Sequence, residues 1–221
     1  MNKYSYIFLV FLILGLFSCR KTKDLTSPTV ENVEYYPLKV GNYSIYQVQK
    51  SNYGLTGRTD TSFQLKNVFQ ESWTDLEGDA SVKIARYKKG ENAISFVLDS
   101  IWHAKTKSSQ VIVTENNVPF LKLHMPLSEG KVWNGNLFNS SEAQNYKVSN
   151  LATPWGEFAN TVTIVQQNVS NRLYREYIAE IYAKDIGLVY RELQNVKLEF
   201  STGRITEGTV VKQTLTSYGK E

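Results

Sequence analysis

Beyond residue 35, apolar and polar residues alternate with a period of two in many short segments of the chain. Such alternation is typical of a β-strand that has one face on a core and the other in water. The clearest case is the segment 196–201, VKLEFS, where the alternation does not slip. Further apolar faces comprise Tyr177, Ala179, Ile181 and Ala183; Phe158, Val162 and Ile164; Ile94, Phe96, Leu98 and Trp102; and Phe63, Leu65 and Phe69. The pattern predicts a domain made mostly of strands, with Glu180 among the residues on the solvent side.

Turn-forming residues separate these segments and indicate short connections. They are Asn116-Asn117, Asn134-Gly135, Asp185-Ile186-Gly187 and Ser201-Thr202-Gly203. One-sided alternation disfavours an α/β layout, because strands of a parallel sheet are usually buried on both faces. We therefore predict an all-β, mainly antiparallel fold in a single domain over 35–221, built as a curved sheet, a half-barrel or a sandwich, with at most one or two short helices. A short helix is expected around 140–143, where Ser140, Ser141 and Glu142 are typical of a helix start.

The first residues follow a different pattern. Lys3 precedes an unbroken apolar run from Tyr6 to Phe17, which ends at Ser18 and Cys19. The run has about 12 residues, whereas a membrane-spanning helix needs about 20. The pattern indicates a secretory signal peptide over 1–18. The alternatives are an unlipidated signal peptide and a single membrane span that happens to end in a cysteine.

Cys19 is the only cysteine of the 221 residues. Leu16-Phe17-Ser18-Cys19 resembles the bacterial lipobox, which implies cleavage before Cys19 and a membrane anchor of acyl chains on that residue. More than one acyl chain makes such an anchor durable. Residues 19–34 are polar and predict an acylated N-terminus followed by a flexible tether. With Cys19 in the anchor, the domain has no disulfide, cysteine nucleophile or thiolate metal site.

Other motifs resemble those of uncharacterised lipoproteins of Bacteroidota. The matching segments are 35–43, 130–133, 155–160 and 181–190, and the chain departs from the pattern at Ser44, where that group commonly has tryptophan. The resemblance implies an antiparallel β-domain on a lipid anchor and no catalytic residues. In some Bacteroidota lipoproteins an acidic run after the cysteine accompanies export to the surface. Here the run 20–23, RKTK, is basic, which favours the periplasmic leaflet of the outer membrane over the cell surface.

Two segments of the chain are alike. PLKVGNY at 37–43 and PLSEGKVW at 126–133 share Pro-Leu, two residues, a glycine and a following aromatic residue. They indicate either an internal duplication or a recurrent way of starting a strand, and we favour the second interpretation.

Candidate chemistry is sparse. His103 and His124 begin no recognisable metal or catalytic motif. Asp75, Glu77 and Asp79 surround Gly78, as in a calcium loop, but they lack the spacing of an EF-hand, so we interpret them as a solvated turn. The sequence predicts no catalytic residue, no metal and no cofactor.

Two further features point to binding or modification. Fourteen tyrosines and four tryptophans could form an aromatic binding face, although aromatic residues are also common in strands. Asp99-Ser100-Ile101 resembles the short acceptor pattern for O-glycosylation in Bacteroidota, which makes Ser100 a candidate for modification. The formal net charge of +4 is too small to indicate a nucleic-acid partner.

These observations leave two hypotheses for function. The first is a non-catalytic envelope protein that binds an apolar ligand, a glycan or a protein partner, with an apolar or aromatic concavity on one face of the sheet. The second is a hydrolase of envelope glycans that uses two carboxylates, since such a pair can come from distant strands. The absence of a nucleophile or metal motif favours the first hypothesis.

Overall fold

The computed structural model describes residues 33–221, and the predicted signal peptide, Cys19 and most of the tether lie outside them. The described residues form twelve β-strands. They are β1 (Asn42–Gly54), β2 (Gly57–Thr74), β3 (Ala80–Gly90), β4 (Val97–Lys107), β5 (Gln110–Glu115), β6 (Val118–His124), β7 (Val132–Asn134), β8 (Asn145–Trp155), β9 (Phe158–Ser170), β10 (Tyr174–Ala183), β11 (Gly187–Leu198) and β12 (Ile205–Lys220).

All twelve strands belong to one antiparallel sheet in the order β6-β5-β4-β3-β2-β1-β12-β11-β10-β9-β8-β7. Strands that are consecutive in the chain therefore pair, except β6 and β7, which are the two edges of the sheet, and β1 pairs with β12. The two edge strands come together, because the Leu121 amide donates to the Gly135 carbonyl at 2.8 Å and the Trp133 indole donates to the Leu121 carbonyl at 2.9 Å. The sheet is thus nearly closed and barrel-like. The all-β, antiparallel prediction is confirmed, and the sheet curls on itself instead of remaining a half-barrel or pairing with a second sheet.

The short helix expected around 140–143 does not form. Side chains of the loop after β7 bond to nearby backbone instead: Asn134 Oδ1 accepts from the Asn136 amide, and Asn139 Oδ1 accepts from the Ser141 amide. Such local bonds stabilise turns in competition with a helix. Within 33–221 there is no helix of the length and apolarity needed to cross a membrane.

Aliphatic and aromatic side chains fill much of the interior. Fully buried members of the larger cluster are Val82, Ile84, Ala104, Val111, Val113, Leu121, Leu123, Val148, Val162, Ile164 and Tyr182. Ile164 therefore lies in a packed interior, whereas Phe200 is 63% exposed. A close-packed interior leaves little room for a large apolar ligand on this part of the inner face.

The segment before β1 also packs on the domain. Val33, Tyr35 and Leu38 are buried in the larger cluster. Glu34, which with Val33 was assigned to the tether, accepts a bond from the Asp185 amide at 2.6 Å and pairs with Lys184. Packing on the domain therefore extends to the first two described residues.

The two Pro-Leu segments lead into β1 and β7, which are the first strands of the two six-stranded halves of the meander. Gly41 and Gly130 both have positive φ, and their backbone amides form equivalent hydrogen bonds. The Gly41 amide donates to the Phe69 carbonyl on β2, and the Gly130 amide donates to the Val148 carbonyl on β8. The likeness in sequence thus corresponds to the same strand start in each half, which agrees with either interpretation.

Candidate functional site

Five charged residues meet inside the barrel, and we call them the interior charge cluster. They are Arg86 on β3, Glu115 on β5, Lys122 on β6, Glu180 on β10 and Arg191 on β11. Burial of a charge is unfavourable unless the charge is paired. The contacts of each member therefore show which charges are compensated.

A bulge places Lys122 in the interior. The pairing of β5 and β6 shifts between Val111 and Ile112, which pair with Leu123 and Leu121. Lys122 is the extra residue of β6, and its side chain is buried together with those of its two leucine neighbours. Bulges re-aim side chains in this way, particularly at sheet edges.

Lys122 holds two carboxylates. Its Nζ lies 2.8 Å from Glu115 Oε1 and 3.0 Å from Glu180 Oε1. Arg191 approaches the same two groups from β11, with Nε 3.5 Å from Glu180 Oε1 and Nη1 3.7 Å from Glu115 Oε2. Two cations therefore compensate two anions.

Neutral donors satisfy the other oxygen of Glu180. The Gln166 amide donates to Oε2 at 2.6 Å, and the Tyr182 hydroxyl donates to the same atom. Burial alone would raise the pKa of Glu180, but the charges of Lys122 and Arg191 and the Tyr182 bond lower it below its ordinary value. Glu180 is thus a stable carboxylate rather than a proton donor.

The lysine is fixed in its charged form. Burial alone would lower the pKa of Lys122, but Glu115 and Glu180 raise it above its ordinary value. Burial raises the pKa of Tyr182 well above its usual range, and Glu180 raises it further. The pKa values of Glu180, Lys122 and Tyr182 are therefore shifted away from neutrality, whereas an acid–base catalyst needs a pKa near the working pH.

Arg86 differs from the other members because it has no carboxylate partner among residues 33–221. Its guanidinium lies over the Trp102 ring at 3.6 Å from the centroid. Burial lowers its pKa below the ordinary arginine value. Its Nε is buried and has no hydrogen-bond partner.

The cluster borders an internal cavity of about 40 Å³. The lining includes all five charged residues and also Tyr36, Ser44, Tyr46, Asn67, Trp102 and Gln213. A single water needs about 10–15 Å³ by this measure, so the cavity has room for a few waters or one small ligand.

Two lysines contact the carboxylates of Asp75, Glu77 and Asp79, which the sequence analysis interpreted as a solvated turn. Lys105 Nζ lies 2.8, 2.9 and 3.0 Å from carboxylate oxygens of Asp75, Glu77 and Asp79, and Lys107 contacts the last two. The Lys105 bond lowers the pKa of Asp75 to about 2. The three carboxylates could group around a metal ion, but Lys105 already takes that central position. This arrangement agrees with the interpretation as a turn.

The two histidines lie apart from the interior charge cluster. His103 stands edge-on to Trp73 at 5.7 Å, and burial lowers its pKa. Burial and the charge of Lys131 lower the pKa of His124. Neither histidine belongs to the potential metal-binding group found between residues 33 and 221.

Ser100, the candidate for O-glycosylation, lies within β4 and donates to Asp99 at 3.1 Å. Its modification stays a prediction. Three aromatic residues do come together, since Trp155 contacts Phe158 at 6.4 Å and Tyr190 at 5.1 Å between ring centroids. They are half-buried and pack against the second hydrophobic cluster, which includes Ile181. Most of their surface is therefore committed to packing.

The prediction that Glu180 faces solvent is wrong, because the residue is only 2% exposed. Alternation separated the two faces of β10 correctly, but both faces are buried here, since the outer residues Ala179 and Ile181 also pack. Alternation alone therefore could not predict the interior charge cluster. The one local signal was Lys122 between Leu121 and Leu123, a charge flanked by apolar residues.

No protein-family model matches the chain, and no curated protein does either. A solved structure of a "putative lipoprotein" from Parabacteroides distasonis is similar to 86% of this chain and to 100% of its own, with 12% identity and a TM-score of 0.45. The likeness is too distant to carry an argument about function.

Proposed function

We propose that this chain is a lipid-anchored protein of the cell envelope whose β-domain binds a ligand or partner without catalysing a reaction. The anchor is supported by the apolar run from Tyr6 to Phe17, the motif Leu16-Phe17-Ser18-Cys19 and the lack of any other cysteine. The basic residues after Cys19 favour the periplasmic leaflet of the outer membrane. Basic residues beside an acyl anchor also add attraction to an anionic surface.

The observation that carries the binding role is the state of the buried carboxylates. Glu115 and Glu180 are held by Lys122, and the pKa of Glu180 is lowered. A site built for proton transfer would shift the pKa of one acid toward neutrality. This interior instead holds fixed charges beside a small cavity, as expected of a site that orients a ligand.

The alternative is a glycan hydrolase that uses the same two carboxylates. Both groups contact one ammonium group, so their oxygens lie within about 6 Å of each other, which overlaps the range of about 5–9.5 Å for glycosidase pairs. Two observations disfavour this function. The cavity of about 40 Å³ does not admit a sugar ring, and the pKa of Glu180 is lowered, whereas a proton donor needs a raised pKa.

The anchor is tested with Cys19→Ala. We expect this change to abolish incorporation of a fatty-acid analogue in growing cells and to leave an unprocessed or soluble product, because the only thiol is lost. Ser18→Ala is the matched control, since it keeps a small residue before the cysteine and should retain the label. Label that survives Cys19→Ala would exclude lipidation at this residue.

The lack of catalysis is tested separately by incubating the purified protein with peptidoglycan and common envelope polysaccharides. We expect no release of soluble fragments, while lysozyme on the same peptidoglycan serves as a positive control. Turnover that disappears in Glu115→Gln or Glu180→Gln would establish the hydrolase instead.

A further inference from the structure

Arg86 is a buried cation that forms no ion pair with any described residue, and Glu115 acts on its charge only from beyond ion-pair distance. Arg86 is 9% exposed, its Nε has no hydrogen-bond partner, and no carboxylate between residues 33 and 221 lies within ion-pair distance. The guanidinium carbon lies 3.6 Å from the centroid of the Trp102 ring, and this contact supplies no acceptor for the guanidinium N–H donors. An unpaired buried charge is strongly unfavourable, so an anion is the expected partner.

The sum of the charges that line the cavity also indicates that an anion is missing. Three cations, Arg86, Lys122 and Arg191, face two anions, Glu115 and Glu180. Lys122 and Arg191 are engaged with the two glutamates. The cavity is therefore left with one positive charge, which resides at Arg86.

A second group in the cavity lacks a partner. Asn67 lies opposite Arg86 in the pairing of β2 and β3, and its Oδ1 is buried without a hydrogen bond. Rotation of the amide by 180° would present its NH₂ group to the same space. An anion at this place would then receive bonds from both residues.

We propose that the cavity beside Arg86 binds a small carboxylate of about the size of acetate. A planar carboxylate matches the fork of N–H groups on a guanidinium, and it supplies the single negative charge that the lining lacks. The volume of about 40 Å³ limits the ligand to a group of a few atoms. The inference names a ligand for the binding role proposed above and rests on that role.

The first test is a calorimetric titration of sodium acetate into the purified full chain in detergent, in buffer without chloride. We expect one binding site, and we expect Arg86→Gln to weaken binding by about tenfold or more, since a bond to a charged group is lost. Arg172→Gln is the matched control, because Arg172 also lies over an aromatic ring, Phe200 at 5.4 Å, but on the exposed surface. It should bind acetate as the unmodified protein does.

Absence of acetate binding to the unmodified protein overturns the proposal, and so does unchanged binding in Arg86→Gln. Because a misfolded Arg86→Gln variant would also lose binding, a second measurement uses the unmodified protein. Crystals soaked in bromide should show an anomalous peak beside the Arg86 guanidinium, and water there instead of bromide would count against the proposal. Fatty-acid labelling tests the membrane anchor and acetate titration tests the anion site. Failure of one proposal is therefore distinguishable from failure of the other.

Discussion

At the scale of single residues, burial decides how much each ion pair matters. Lys122 and Lys105 both contact several carboxylates. The pairs of Lys122 with Glu115 and Glu180 lie inside the barrel, whereas in the pair of Lys105 with Glu77 the glutamate is largely exposed. An exposed pair contributes little because water screens it. A buried pair contributes little net stability when intact, yet its disruption leaves an uncompensated charge.

We therefore predict that Lys122→Met lowers the free energy of unfolding by about 3–5 kcal/mol, because Glu180 and Glu115 lose their closest cation. The control is Lys197→Met, which removes a 2.8 Å pair with Glu207 between exposed side chains. Its effect should stay within about 1 kcal/mol. Urea unfolding measures both, and equal effects would mean that the barrel interior does not enclose Lys122.

At the scale of elements, the sequence predicted the strands better than their irregularities. Alternation in 177–183 located β10, because a half-buried strand repeats every two residues. The alternating segment 196–201 located only the end of β11, which stops at Leu198, and its last three residues lie in the following turn. Register shifts interrupt the pairing of β5 with β6 and of β10 with both neighbours. A bulge depends on the partner strand as well as on local sequence, so Lys122 and Glu180 could not be assigned to the interior from the pattern alone.

Closure of the sheet depends on a close approach at Gly135, directly after β7. A Cβ atom at this position would lie 2.3–2.6 Å from ring atoms of Tyr146, whose side chain is buried. We expect Gly135→Ala to destabilise the domain by about 1–3 kcal/mol through overpacking. Gly54→Ala is the control, because nothing lies within 4 Å of its added Cβ, and its effect should be within about 0.5 kcal/mol. Thermal unfolding compares the two, and a neutral Gly135→Ala would show that the Tyr146 ring can move.

At the scale of the whole molecule, the segment before β1 links the predicted tether to the barrel. Val33, Tyr35 and Leu38 are buried in the larger hydrophobic cluster. Tyr36 lines the cavity and contacts the Tyr182 ring at 5.9 Å. The sequence predicted a boundary near this point from the change to polar composition. It could not show that the segment contributes to the core, because residues 33–38 contain too few positions to display a period.

A chain that begins at residue 33 should therefore fold as a soluble β-domain, whereas a chain that begins at Gly41 should not be equally stable. Burial of a large apolar side chain contributes roughly 1.5–3 kcal/mol, so loss of Val33, Tyr35 and Leu38 removes a large part of the 5–15 kcal/mol typical of a domain. Far-ultraviolet circular dichroism should show a sheet spectrum for the longer chain. Urea unfolding should show a clear loss of stability, or no cooperative transition, for the shorter one. Equal midpoints for the two chains would mean that the segment only covers the barrel, and that its buried side chains contribute little to the stability of the fold.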